Sequence, residues 1–135
     1  MLKRSLGLAA GFGLLASVAL AQPAASGPYK VINSAKVGGE GGFDYVTADA
    51  VGRRLYVPRG NPANRVAVYD LDTLKPAGEI SGVTGVHGAA IDPKSHHGFS
   101  SSKPVVMWDT QTLATIKTIA VEGNSADAVL RSLRG

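Results

Sequence analysis

The run Val66-Ala-Val-Tyr-Asp70-Leu-Asp-Thr73-Leu74-Lys-Pro-Ala-Gly-Glu-Ile80 returns 39 residues later as Val105-Val-Met-Trp-Asp109-Thr-Gln-Thr112-Leu113-Ala-Thr-Ile-Lys-Thr-Ile119. In each copy an alternating apolar stretch ends in aromatic-Asp. A Thr-Leu pair follows, and a second short apolar stretch ends in Ile. Alternation with a period of two is strand periodicity, and Asp with Thr at fixed offsets is turn chemistry. A chain that repeats such a unit is committed to stacked or adjoining copies of one small sheet.

The repeat extends upstream. Phe43-Asp-Tyr-Val-Thr-Ala48 closes with Asp49, as His87-Gly-Ala-Ala-Ile91 closes with Asp92, at a spacing of 43. The link before the third strand is therefore four residues shorter in the second unit. Each unit reads as four short antiparallel strands, over residues 43–80 and 86–119. A period near 40 residues built only of strands predicts an all-β chain of the β-propeller kind. Residues 29–37 read as one leading strand. Residues 123–135 start a third unit and leave the pattern at Arg131-Ser132. The expectation is a propeller fragment of about two blades, one leading strand and one incomplete strand. Two blades would leave two outward faces uncovered, so instability or self-association through those faces is expected.

Lys3 and Arg4 precede an uncharged run rich in Leu, Ala and Gly, and Ala19-Leu-Ala21 fits a small-x-small cleavage site. Residues 1–21 thus read as a secretory signal peptide, too short to be a membrane span, and residues 22–28 as a linker. Export to the periplasm or the medium follows, with no stable membrane insertion after cleavage. Removing Lys3 and Arg4 lowers the formal charge from +4 to +2, which argues against a nucleic-acid surface. The chain has no cysteine, so it excludes thiolate catalysis, disulfides and Cys-ligated metals.

Leu55-Tyr-Val57, Val66-Ala-Val-Tyr-Asp70, Thr73-Leu74, Val106-Met-Trp-Asp109 and Thr112-Leu113 together resemble the exported YVTN-type β-propeller repeat proteins of bacteria. The resemblance spans residues 29 to about 130. It implies a propeller; that family's rings close with several more blades than this chain supplies. The repeat type is specific for an architecture and unspecific for a function.

Register singles out one candidate site. Asp44, His87 and Asp127 share a repeat position, at the start of each innermost strand. In a propeller those starts converge on the mouth of the central channel. Asp, His and Asp could ligate a divalent metal or hold a polar ligand. They could equally cap the loops that enter each unit. Other features favour structural roles. Asp49, Asp92, Asp70, Asp72 and Asp109 read as turn formers. His96 and His97 are adjacent and point apart. Tyr56, Tyr69 and Trp108 read as core. Arg53, Arg54, Arg59 and Arg65 read as a solvated edge. The loop Gly38-Gly-Glu-Gly-Gly42 reads as a strand connection, since no helix follows to make a phosphate cradle. Ser100, Ser101 and Ser102 have no base suggested by spacing.

No hydrolase, zinc-protease or dinucleotide motif is present. The expected function is a non-catalytic scaffold binding a small molecule or protein, with no cofactor required. The alternative is a metal-dependent hydrolase of the lactonase kind, using Asp44, His87 and Asp127.

Overall fold

The computed structural model describes residues 27–122. The chain divides into two units, Met1–Ile32 and Asn33–Gly135. Of the first, residues 27–32 carry no strand. Among its described residues the second holds eight strands: β1 Thr47–Asp49, β2 Arg54–Arg59, β3 Arg65–Asp70, β4 Pro76–Ile80, β5 Ala89–Asp92, β6 His97–Ser100, β7 Val105–Asp109 and β8 Thr115–Ile119. They form two four-stranded sheets, each in sequence order and antiparallel throughout. The chain is all-β, with no helix among the described residues and hence none long and apolar enough to cross a membrane.

The repeated Asp closes each outer hairpin. Asp70 Oδ1 accepts from Thr73 N at 2.7 Å, Thr73 Oγ1 at 2.8 Å and Asp72 N at 3.2 Å. Asp109 Oδ1 accepts from Thr112 N at 2.7 Å, Thr112 Oγ1 at 3.0 Å and Gln111 N at 2.9 Å. The next residues, Leu74 (φ 58°) and Leu113 (φ 62°), sit in the left-handed region. That conformation costs about 1 kcal/mol for a side chain with a Cβ. Packing repays it at Leu113, which lies against the shared core and 2.6 Å from where a Cβ on Gly78 would stand. Gly78 has a φ of 147° on β4, so leucine and glycine fit across the seam between the sheets.

That seam is the main core. Tyr56, Val66, Val68 and Ile80 of the first sheet meet Ala89, Val106 and Trp108 of the second, with Val83 and Val86 of the link between them. Tyr56 and Trp108 are fully buried, with ring centroids 5.9 Å apart at 43°. Burying such rings contributes roughly 2–3 kcal/mol each from the area term. Gly98 pairs with Trp108, and the indole occupies the space a side chain there would need.

Four expectations change. Residues 29–37 form no strand, and Tyr29 is 88% exposed. A strand needs a ladder partner, and none of the described strands pairs with this segment. Residues 43–46 are also outside the ladder, except for one bridge at Tyr45. Continuing the β1–β2 register sets Tyr45 opposite Pro58, which has no N–H to give. Pro58 and Arg59 belong to β2 and are buried, so Arg59 is not part of a solvated edge. Finally, the middle of the outward face of the first sheet is buried, while Ala48 and Glu79 on that face stay exposed. Val57, Ala67 and Tyr69 are buried there beside Leu55. Tyr69 Oη donates to Val37 O at 3.2 Å, and Arg59 Nη2 donates to the carbonyls of Gly38 and Gly39 at 2.7 Å each. The glycine loop therefore ties itself to that face.

Candidate functional site

The two sheets adjoin at their first strands, β1 and β5, and at the residues just ahead of them, and this junction builds the site. Tyr45 forms a parallel bridge with Gly88, and Tyr45 N donates to His87 O at 2.9 Å. Two residues on, Thr47 Oγ1 donates to Ala89 O at 2.7 Å. Parallel pairing of Tyr45 with Gly88 places the preceding residues, Asp44 and His87, side by side. Their side chains meet: His87 Nδ1 lies 3.1 Å from Asp44 Oδ2. Both are about half exposed.

The backbone of His87 is held on its other side as well. His87 N donates to Ser101 O at 3.2 Å, and Gly88 N donates to Ser101 Oγ at 2.7 Å. Ser101 N returns a bond to Gly88 O at 2.9 Å. Ser100, Ser101 and Ser102 are fully buried. Ser100 Oγ accepts from Val106 N at 2.8 Å and pairs with Ser102 Oγ, which donates to Pro104 O at 2.6 Å. These serines replace missing ladder bonds in the short link between β6 and β7. They are the supporting residues that sequence reasoning missed; their signal is three consecutive hydroxyls beside a proline in a shortened loop.

Asp44 and His87 line a cleft of about 410 Å³ with Gly42, Phe43, Gly60, Asn61, Gly85 and Val86. Its walls are mainly apolar, and Phe43 is 70% exposed. Sequence reasoning did not include Phe43, Asn61 or Val86. They come from loops whose convergence depends on how the two sheets adjoin. Asp127, the third candidate, lies outside the described residues. Among the described residues no group of three His, Asp or Glu side chains could surround a metal ion.

The other candidates fall elsewhere. Asp49 Oδ1 accepts from Gly52 N at 2.9 Å and Val51 N at 3.1 Å, and Asp92 takes the corresponding turn bonds from Lys94 N and Ser95 Oγ. The Ser95 hydroxyl and the Lys94 amide hold the Asp92 carboxyl below its ordinary range. Bonds from the Thr73 amide and hydroxyl do the same for Asp70, and those from Thr112 for Asp109. The Arg53 guanidinium, ion-paired with Asp72, lowers the Asp72 carboxyl and is itself raised by it. His96 is an exposed turn residue at φ 59°, while His97 stands edge-on to Phe99 with centroids 6.5 Å apart. Tyr56, Tyr69 and Trp108 are core residues, and burial pushes the Tyr56 phenol up.

The arginines are not an edge cluster. Arg54 and Arg59 lie on β2 and Arg65 on β3, which are inner strands. Arg54 Nη2 donates to Gln111 O of the neighbouring sheet at 2.9 Å, and Arg65 reaches Glu79 at 3.4 Å. Each of the four bonds another group of the chain, and of the four only Arg59 is buried.

Neither the models of known protein families nor the curated proteins contain a match to this chain.

Proposed function

We propose that this chain is an exported, non-catalytic binding module in which the two sheets are consecutive propeller blades and the cleft at Asp44 and His87 receives the ligand. One observation carries the reading. Equivalent positions of the two repeats come together as a bonded pair at 3.1 Å on the wall of a mainly apolar cleft. The in-order antiparallel sheets and the parallel bridge just ahead of their first strands support the blade assignment. In a propeller, first strands of successive blades run side by side around the channel. The export assignment rests on the basic and apolar N-terminal sequence. The ligand is a small molecule or a protein side chain with a largely apolar surface, since polar groups in the cleft are few.

A lactonase-like metal site is the weaker reading. Asp44 and His87 bond each other rather than converging on a common point, and a metal needs further donors beside them.

Ligand-observed NMR with a library of small soluble compounds tests the proposal. Compounds that receive saturation from the wild-type protein are expected to lose it in His87→Ala. Binding that ignores this substitution overturns the site. Hydrolysis of a simple lactone by the protein loaded with zinc or calcium overturns the non-catalytic assignment.

A further inference from the structure

Resting on the binding reading above, we infer that Asp44 and His87 have unequal roles: Asp44 is a positioning residue that holds the His87 ring with its hydrogen on Nδ1, and His87 Nε2 is the atom that meets the ligand, an apolar molecule carrying one hydroxyl or amine hydrogen to donate.

The inference begins with the bond itself. An ionised carboxylate has only acceptor sites, so at 3.1 Å His87 Nδ1 is the donor and Asp44 Oδ2 the acceptor. In the neutral imidazole, a hydrogen on Nδ1 leaves the lone pair on Nε2. A solvated histidine favours the opposite tautomer, so the carboxylate selects the less common one. None of the described residues bonds Nε2.

The pair is also preorganised. Tyr45 N holds His87 O, Ser101 O receives His87 N, and Ser101 Oγ receives Gly88 N. With the backbone held on both sides, only the two side-chain torsions of His87 remain, and Asp44 restrains those. Two ligands sharing a metal ion would each present a lone pair to it. The hydrogen bond uses the Nδ1 position, which removes His87 Nδ1 and Asp44 Oδ2 as joint ligands. A carboxylate behind a histidine orients the imidazole and fixes which ring nitrogen keeps its lone pair.

The walls define what Nε2 can meet. Phe43 and Val86 are apolar, and Gly42, Gly60 and Gly85 offer no side chain. Among the described residues, Asn61 is the remaining polar side chain of the cleft. A ligand with one donor hydrogen and an otherwise apolar body satisfies Nε2 and leaves none of its own polar groups stranded.

Long-range proton–nitrogen correlation spectra of the isotope-labelled full chain, recorded with the rings neutral, test the assignment. His87→Gln identifies the His87 signals, and His96 and His97 serve as internal references. The expected spectrum has the lone-pair nitrogen at Nε2 of His87. Asp44→Ala is expected to move the hydrogen to Nε2. Asp44→Asn is expected to retain it on Nδ1, because the amide oxygen still accepts. Both side chains are half exposed, so these variants leave the core intact. A hydrogen on Nε2 in the wild type, or a tautomer indifferent to Asp44→Ala, overturns the positioning role.

The ligand class is tested with para-fluorophenol against fluorobenzene, which are alike in shape and differ in one donor. The phenol is expected to bind about tenfold more tightly, the worth of one hydrogen bond, and to shift the Nε2 signal. Equal binding overturns the ligand class. If neither compound perturbs the cleft although the tautomer is as stated, the binding reading of the cleft fails and the positioning role of Asp44 stands.

Discussion

The two sheets carry the same plan with different contents, and where they differ is informative. Their outer hairpins are nearly superposable in chemistry. Asp70 and Asp109 bond the same amide and hydroxyl, and Leu74 and Leu113 share a left-handed backbone. Their inner strands are not alike. Leu55 pairs with Tyr69 in the first sheet, and Gly98 pairs with Trp108 at the equivalent place in the second. A smaller residue on one strand accommodates a larger one on its neighbour. A turn must satisfy particular backbone groups, so its residues repeat. A packed face needs only a filled volume, so its residues vary in compensating pairs.

The most severe test of that contrast is Gly98→Leu, which imports the first sheet's residue alone. The indole of Trp108 already occupies the space. The expected loss is about 3 kcal/mol in a urea titration. Adding Trp108→Tyr, which completes the first sheet's pair, is expected to recover part of that loss. No recovery would show that the two pairs are not equivalent.

A smaller effect separates the two turn leucines. Leu113 packs on the seam core and beside Gly78, whereas Leu74 belongs to neither buried cluster. Leu113→Ala is expected to cost about 2 kcal/mol, at the low end for a leucine truncation because the side chain is only partly buried. Leu74→Ala is expected to cost less than half as much. Equal losses would place Leu74 against a partner of similar size.

The smallest effect concerns acid. Asp70, Asp72, Asp92 and Asp109 all have carboxyls lowered from the ordinary 3.8 by bonds present only in the folded chain. A lowered carboxylate contributes stability that is present above the unfolded value and lost as pH falls through the folded one. The melting temperature is therefore expected to fall as the pH drops below the ordinary carboxylate value of 3.8. These groups are exposed, so the fall is modest. Asp109→Asn is expected to flatten the curve slightly, and Asp70→Asn to do so on the side that also holds the Arg53–Asp72 pair. A curve unchanged by both substitutions would remove the turns from the acid response.

Much of the architecture was legible in the amino-acid order. Alternation located the strands, and the recurring aromatic-Asp and Thr-Leu located the turns, because both are local demands of the backbone. The spacing of 43 also set Asp44 and His87 as equivalents. Parallel adjacency of equivalent strands then brings equivalents together. Their unequal roles were not legible, since a shared position says nothing of which atom bonds which. The role of Ser101 was not legible for a related reason: it lies in the amide of Gly88, thirteen residues away.

Residues 29–37 mark the opposite failure. Their alternation predicts a strand, yet a strand exists only where another strand accepts its hydrogen bonds. The order of amino acids by itself determined periodicity, turns and the equivalence of positions, all of which act over a few residues or by repetition. Only the tertiary structure decided which strands had partners, that Gly98 makes way for Trp108, that Arg59 is buried against a glycine loop, and that Asp44 faces His87 Nδ1. Those outcomes depend on groups far apart in the chain meeting at hydrogen-bond and van der Waals distances, which local pattern does not encode.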